Sequence, residues 1–588
     1  MADWFLIRKG GDYDSIAAEN NISPVLARLL KNRGVEGREA IRAYLYGGEE
    51  CFHDPGLLRD MDKACAVLSE YITAGRHIRI IGDYDIDGVC STSILLLGIR
   101  ELGGSVDAQI PHRVRDGYGM NCSMIDSAAE DGVELILTCD NGIAASKEAA
   151  LAKERGIALV ITDHHEVPYI EKDGEREYIL PEAAAIVDPK REDDSYPHPG
   201  ICGAFVAFKL MQSLFKLMKG EEPAGALRER MLQLAAFATV GDVMELKDEN
   251  RAVVKTGMEL MSKRPAPGLK ELIDALGIAG QSINCFHLGF MLGPCVNATG
   301  RIDTAERALE LLAGEGGEEA IARALELKEL NENRKKITEE AAEAASAQIK
   351  AGEHEGLKVL VIYLPDCHES VAGIVAGRIR ERYGLPTLIV TDSEEGLKGS
   401  GRSVEAYHMY DALSAVSDIF TKYGGHSQAA GFSLPADRLV ELRQRLNENC
   451  TLTDADLREK IYVDLELKLK YATGELIDEL AVMEPCGNGN TRALFGRSGL
   501  KLNAAYIVGA DRTHCRLRVF DEDSGYTMML FRRAEDLCRA VKEKYGEEGL
   551  EDLMKGTAGF PFSVLYYPKW NEYKGSRSIQ LVVEDYKI

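Results

Sequence analysis

The run His77-Ile78-Arg79-Ile80-Ile81-Gly82, followed by Asp83-Tyr84-Asp85-Ile86-Asp87-Gly88, decides how this chain is read. Its first half is apolar enough for a buried strand. Its second half sets three carboxylates on alternate positions ahead of a glycine and a helix start. Negative charges crowded at one strand tip repel each other unless a cation holds them together. The stretch therefore predicts a divalent metal, with further ligands elsewhere in the chain.

Those ligands stand at similar places. Glu134–Thr138 reads as a short buried strand ending in Cys139-Asp140-Asn141-Gly142, and Ile157–Thr162 as another ending in Asp163-His164-His165. The apolar stretch Leu232–Val240 reads the same way and ends in Gly241-Asp242. Strands separated by helix-length segments predict a parallel α/β sheet, in which ligands collect outside the carboxyl ends of the strands. Asp85, Asp87, Asp140, His164 and Asp242 are expected to converge there. So many carboxylate and imidazole groups exceed what one tetrahedral zinc takes. They suit two hard, roughly octahedral ions sharing a carboxylate, Mn²⁺ or Mg²⁺, with imidazole favouring Mn²⁺. Alone, Asp-Gly or Asp-Asn-Gly is an ordinary turn. Their coincidence at successive strand ends carries the metal reading.

The order of motifs resembles the DHH phosphoesterase superfamily and, within it, the RecJ family of single-strand-specific 5′→3′ DNA exonucleases. Beyond Asp163-His164-His165, the resemblance rests on Gly293-Pro294-Cys295-Val296-Asn297-Ala298-Thr299-Gly300-Arg301, similar to a loop of that family. His368-Glu369-Ser370 with Gly373-Ile374-Val375-Ala376, and Gly399-Ser400-Gly401-Arg402-Ser403, add to it. Gly424-Gly425-His426 with Ala429-Ala430-Gly431 resembles the glycine-rich motif of the DHH-associated (DHHA1) domain. The tail from Asn571 to Val582 resembles the end of the family's C-terminal β-barrel. Two departures stand out: Cys295-Val296 occupies the place where the family usually carries Arg-Ile, and, a smaller one, Ser370 replaces a common glycine.

With 588 residues the chain is long enough for three or four domains. The expected division is an N-terminal helical segment (1–54), a DHH catalytic domain (55–303), a long connecting helix (304–354), a DHHA1 α/β domain (355–455) and an OB-like barrel (456–588). Met1–Gly10 lacks the pattern of a signal peptide, and no apolar run reaches membrane-helix length, so a cytoplasmic enzyme is expected. The 13 cysteines include no Cys-x-x-Cys pair and read as buried thiols in a reducing compartment. A net charge of −25 excludes a uniformly basic nucleic-acid binder, because phosphate binding works by counterion release to cations. Basic residues nevertheless recur with the motifs: Arg113 and Arg115, Arg301, Lys398 and Arg402, Arg516 and Arg518, Arg532 and Arg533. A binding cleft with steep salt dependence reconciles the two.

Phosphodiester hydrolysis needs charge neutralisation and a strong nucleophile, which two metals about 4 Å apart supply together. Asp140 is expected to bridge both ions. The resemblance implies that Asp85 serves one metal, and Asp87, His164 and Asp242 the other. It places Asp83 near the metals, as a ligand or as an orienting group. His165 is expected to face the phosphate, with Asp163 as the partner of a neighbouring imidazole. Ser400 and Arg402, assisted by Arg113, are expected to form a 5′-phosphate pocket, with backbone amides of Gly399–Ser403 contributing. Asn297 and Arg301 would touch the strand backbone, and His426 would line the same cleft. In the barrel, Tyr566, Tyr567, Trp570 and Tyr573 near Lys569 and Lys574 are either stacking platforms or core residues. Alternation puts Arg516 and Arg518 on one strand face.

The resulting expectation is a monomeric exonuclease that degrades single-stranded DNA 5′→3′ to mononucleotides, in recombination and repair. A channel too narrow for duplex would select the strand, and a helicase and a single-strand-binding protein are plausible partners. The alternatives are a DHH phosphodiesterase for oligoribonucleotides or cyclic dinucleotides, and an inactive single-strand-binding scaffold. The long connecting helix and barrel oppose the first, and the intact ligand set opposes the second.

Overall fold

The computed structural model describes residues 2–172, 174–393, 396–573 and 575–588. It divides into two compact units: Gly48–Leu457 with Gly487–Gly489, and Met1–Gly47 with Arg458–Cys486 and Asn490–Ile588.

In the first unit a five-stranded sheet runs Ser105–Gln109, His77–Ile81, Leu135–Cys139, Ala158–Thr162, Ala185–Val187, with every pairing parallel. Ile78, Ile80, Leu135, Leu137 and Val160 are buried, as expected for strands covered on both faces. The chain passes from His77–Ile81 to its neighbour Ser105–Gln109, then crosses back to pair Leu135–Cys139 on the other side. That reversal opens a crevice at the carboxyl ends of His77–Ile81 and Leu135–Cys139. Helix Ile86–Glu101 packs against helices Gly203–Lys219 and Gly225–Gly241.

Two expectations are corrected here. Leu232–Val240 is the C-terminal half of helix Gly225–Gly241 rather than a strand. It is apolar because Leu232 through Thr239 are buried on all sides, a pattern that periodicity alone does not separate from a buried strand. Gly293–Arg301 is likewise no loop. It forms most of helix Gly293–Ile302, with Pro294 in the first turn, and directly follows a π-helical turn, His287–Leu292.

Helix Glu318–Lys350, 33 residues long, spans about 50 Å at the usual helical rise. Beyond it a second sheet runs Lys422–Gly425, Ala429–Leu434, Gly396–Arg402, Thr387–Ser393, Leu360–Tyr363, antiparallel except for the last pair. Helix Glu369–Tyr383 packs on its strands Thr387–Ser393 and Gly396–Arg402.

In the other unit, strands Phe495–Val508, His514–Asp521, Ser524–Leu530, Ser576–Lys587 and Phe560–Tyr573 close into a barrel, because the first also pairs with the last. Cys515, Leu517 and Val519 point inward while Arg516 and Arg518 are exposed, so the alternation is realised. Tyr566 is core, and its hydroxyl donates to Leu467 O. Trp570 donates to Asp478 and lies under Arg577, 4.0 Å from ring centroid to guanidinium carbon. Lys574 and the side chain of Tyr573 lie outside the described residues. The first residues contribute a strand, Asp3–Leu6, parallel to Lys460–Val463, and Leu26, Leu29, Leu30, Ile41 and Leu45 join the barrel's hydrophobic core.

Candidate metal centre

Three strand tips and one helix end deliver the charged groups. Asp85 caps helix Ile86–Glu101, its Oδ1 accepting from Asp87 N (2.9 Å) and Gly88 N (3.2 Å). Asp87, in the first turn of that helix, caps a different one: it accepts from Gly203 N (2.6 Å) and Ala204 N (2.8 Å) at the start of Gly203–Lys219. Asp140 follows strand Leu135–Cys139 in a left-handed conformation, φ 60°. Asn141 fixes that turn. Its Nδ2 donates to Ile81 O (3.0 Å) and Cys139 O (2.9 Å), and its Oδ1 accepts from Met120 N (3.0 Å). His164 follows Ala158–Thr162, and Asp242 ends helix Gly225–Gly241.

These elements bring the groups together. His164 Nε2 lies 3.0 Å from Asp140 Oδ1, 3.3 Å from Asp87 Oδ2 and 3.8 Å from Asp242 Oδ2. Ligand atoms of Asp87, His164 and Asp242 fall within 4.8 Å of one another, as do those of Asp140, His164 and His165. Among the described residues Asp85 belongs to neither group. Asp83 is fully buried, with Oδ1 accepting from Gly119 N (3.1 Å) and Oδ2 without a hydrogen-bond partner.

Burial and like charge set the carboxylates of the cluster against one another. Burial, then the charges of Asp87, Asp85, Asp83 and Asp242, push Asp140 well above the usual carboxylate range. Burial and then Asp85 do the same to Asp83, and burial and then Asp87 raise Asp242 to about 8. Burial lowers His164, which favours the neutral imidazole that binds metal, and its Nδ1 has no hydrogen-bond partner among the described residues. Carboxylates buried close to one another beside a neutral imidazole fit hard divalent ions. Asp87, Asp140, His164 and Asp242, with Asp85 at the rim, are the residues that would hold them.

His165 is the better-hydrated imidazole. Burial alone would lower it, but the hydrogen bond from Nδ1 to Asp163 Oδ1 (2.7 Å) and that carboxylate's charge raise it to about 9. Asp163 also accepts from Ile143 N and from the amides of His164 and His165.

Beyond the metal groups the same unit gathers guanidinium groups. Arg301 donates to Ser370 O (2.8 Å), joining helix Gly293–Ile302 to helix Glu369–Tyr383. Burial, then Arg113 and Arg334, depress Arg301 to about 9. Burial, then Arg113 and Arg380, also lower Arg402. Arg113 stacks 4.6 Å over the Tyr84 ring, and Arg402 reaches Gly401 O (2.8 Å) and Ser400 Oγ (3.4 Å). Mutually repelling cations in one place favour an anion there. A cavity of about 400 Å³ is lined by Arg113, Ser370, Lys398 and Ser400.

Several expectations change. Gly399–Arg402 lies in strand Gly396–Arg402, paired on both sides, so its amides serve the sheet, and Gly399 and Ser400 line the cavity. Asn297 Oδ1 accepts from Ile86 N (2.8 Å), anchoring the helix that carries Asp87. His426 is exposed in the turn after Lys422–Gly425, its Nδ1 accepting from Gln428 N. The sequence reading missed Asn141, Tyr118 and Gly203. Tyr118 donates to Asp140 O (2.7 Å) and its ring meets His165 edge-on. A Cβ on Gly203 would lie 2.8 Å from Asp140 Cβ. Only Asn141, beside Asp140, carried a local signal.

Fold and site define the DHH class of phosphoesterases. The DHH family N-terminal domain model matches residues 77–239, the DHHA1 domain model 356–451 and the RecJ OB domain model 463–585. The chain is 34% identical over 577 residues to the single-stranded-DNA-specific exonuclease RecJ of Bacillus subtilis, covering 97% of this chain and 69% of that protein. It is 31% identical to the enzyme of the same description from Escherichia coli, covering 96% of each. Its fold matches RecJ from Thermus thermophilus in complex with Mn²⁺ with a TM-score of 0.79 and 26% identity, over 100% of this chain and 79% of that one. The chain belongs to the RecJ family of single-stranded-DNA-specific exonucleases.

Proposed function

We propose that this chain is an exonuclease that hydrolyses single-stranded DNA from the 5′ end to 5′-mononucleotides with two divalent ions, Mn²⁺ or Mg²⁺. The observation that carries the reading is the convergence of buried Asp87, Asp140 and His164 with half-buried Asp242, in a chain whose relatives are named for this activity. When bound, the ions supply neutralisation of the phosphate and activation of the attacking water. Asp140 would serve both ions, Asp85 would help hold one, and Asp87, His164 and Asp242 would hold the other. Asp83 orients the cluster from behind. His165, oriented by Asp163, donates to a phosphate oxygen. Arg113, Ser400 and Arg402 hold the terminal 5′-phosphate. Arg301 and Asn297 keep the two sheets of the unit and the Asp85–Asp87 turn in register for the strand, and His426 stands at the rim of the same path. The exposed Arg516 and Arg518 on the barrel bind single-stranded DNA through its phosphates.

We assign the enzyme to cytoplasmic recombination and repair as a monomer working beside a helicase and a single-strand-binding protein; among the described residues no helix is long and apolar enough to cross a membrane. The test is degradation of end-labelled single-stranded DNA, duplex DNA and RNA with each metal. Release of 5′-labelled mononucleotide from single-stranded DNA first is expected. Digestion from the 3′ end, or faster hydrolysis of short oligoribonucleotides, contradicts the proposal.

A further inference from the structure

Helix Gly225–Gly241 delivers Asp242 to the metal centre and stops there. Its closing amides turn back on the helix: Asp242 N donates to Ala238 O (2.8 Å), Val243 N to Val240 O (3.2 Å) and Met244 N to Thr239 O (3.1 Å). This closure puts Val243 in the left-handed region, φ 59°, at a position that glycine or asparagine ordinarily takes. A β-branched residue there is strained. Packing does not offset the strain, because Val243 is 65% exposed.

A residue far away in sequence restrains the turn. Asn488 Nδ2 donates to Val243 O (2.8 Å), and Asn488 O accepts from Leu246 N (2.8 Å). One residue thus pins both ends of Val243–Leu246. The glycines beside it fit the same turn closely. Gly489 has φ 69°, and a Cβ there would lie 2.9 Å from Glu245 Cβ. A Cβ on Gly487 would lie 2.8 Å from Leu246 Cδ1. Gly487–Gly489 belongs to the compact unit that contains the metal centre, although the chain on either side of it belongs to the other unit.

We propose that Asn488 is a positioning residue for the metal centre. It holds the strained turn after Asp242, and so keeps the Asp242 carboxylate beside His164 and Asp87. The inference rests on the metal reading above and deepens it. Asn488 touches neither ion nor substrate; it acts through the backbone of Val243. The strain of a left-handed β-branched residue and the worth of one hydrogen bond are of the same order. Removing the bond lets the turn relax, and Asp242, one residue earlier, moves with it.

The test is Mn²⁺ calorimetry on the full chain, with Mn²⁺ dependence and KM for single-stranded DNA measured alongside. Asn488→Ala is expected to weaken one of two Mn²⁺ sites roughly 10- to 100-fold, the usual effect of losing an outer partner of a metal ligand. The half-saturating Mn²⁺ concentration rises in step, while KM for DNA at saturating Mn²⁺ stays unchanged. Asn488→Asp, isosteric but lacking the donor, behaves alike and decides the matter if the alanine variant does not fold. Adding Val243→Gly to Asn488→Ala restores the weakened site to within about three-fold, because glycine takes the left-handed conformation without strain. Unchanged Mn²⁺ affinity in both Asn488 variants, or no recovery with Val243→Gly, overturns the inference. Wild-type protein that binds no Mn²⁺ overturns the metal reading beneath it, so the two failures are distinguishable.

Discussion

His164 Nε2 and Asp140 Oδ1 stand 3.0 Å apart, both buried, with the carboxylates of Asp87 and Asp242 also within reach of His164. The contact gives the cluster a neutral nitrogen donor, and burial together with like charge makes the protein without metal pay for Asp140 in stability.

Divalent ions should therefore stabilise the fold. At a Mn²⁺ concentration about 100 times its dissociation constant the gain is about 2.7 kcal/mol, a shift of a few degrees in Tm. Asp140→Asn removes a repelled charge, so thermal unfolding in a chelator should occur at the wild-type temperature or above. Added Mn²⁺ should shift it little, and turnover should fall by more than the roughly 100-fold typical of an outer-shell loss. A variant that turns over normally would refute the bridging role.

Gly203 is confined by Asp140 and Asp87, with a Cβ falling 2.8 Å from Asp140 Cβ and 3.1 Å from Asp87 Oδ2. Gly203→Ala should displace both carboxylates, cost about 1–3 kcal/mol of stability and raise the Mn²⁺ concentration needed for activity. Denaturant melts and Mn²⁺ titrations measure the two effects.

Arg402→Ala should reduce the preference for a 5′-phosphorylated end by roughly ten-fold, the scale of one charge-assisted hydrogen bond. An unchanged ratio of rates on phosphorylated and unphosphorylated strands rejects the pocket.

Asn297 Oδ1 accepts from Ile86 N at 2.8 Å. Asn297→Ala should cost about 1 kcal/mol of stability, as loss of a helix cap does, and lower kcat more than it raises KM. A pure KM effect would make Asn297 a strand contact instead.

Arg516 and Arg518 are exposed on one face of a barrel strand. Replacing both with alanine should raise KM on long strands more than on very short ones, and flatten the salt dependence of binding by about one unit per lost phosphate contact. Deleting the barrel is a poorer test, since Leu26, Leu29 and Leu30 share its core.

Part of the charged cluster was legible in the sequence, because charge at the ends of apolar runs is a local signal: Asp87, Asp140 and His164 come within reach of one another, while Asp85 joins neither group of ligand atoms among the described residues. The sequence misled at Leu232–Val240, where all-round burial erased the helical period. It misled again at Gly399–Gly401, whose glycines mark close packing in a strand. A Cβ on Gly399 would strike the Phe432 ring at 2.1 Å, and one on Gly401 would meet Met409 Sδ at 3.1 Å. The pairing of Asp3–Leu6 with Lys460–Val463 and the grip of Asn488 on Val243 join residues hundreds of positions apart, and nothing local announces either.

Anomalous scattering from crystals grown with Mn²⁺ bears most directly on the centre. Two peaks flanking Asp140, one of them against Asp87, His164 and Asp242, are the expected result. A single peak, or Mn²⁺ bound away from these carboxylates, would contradict the two-metal centre.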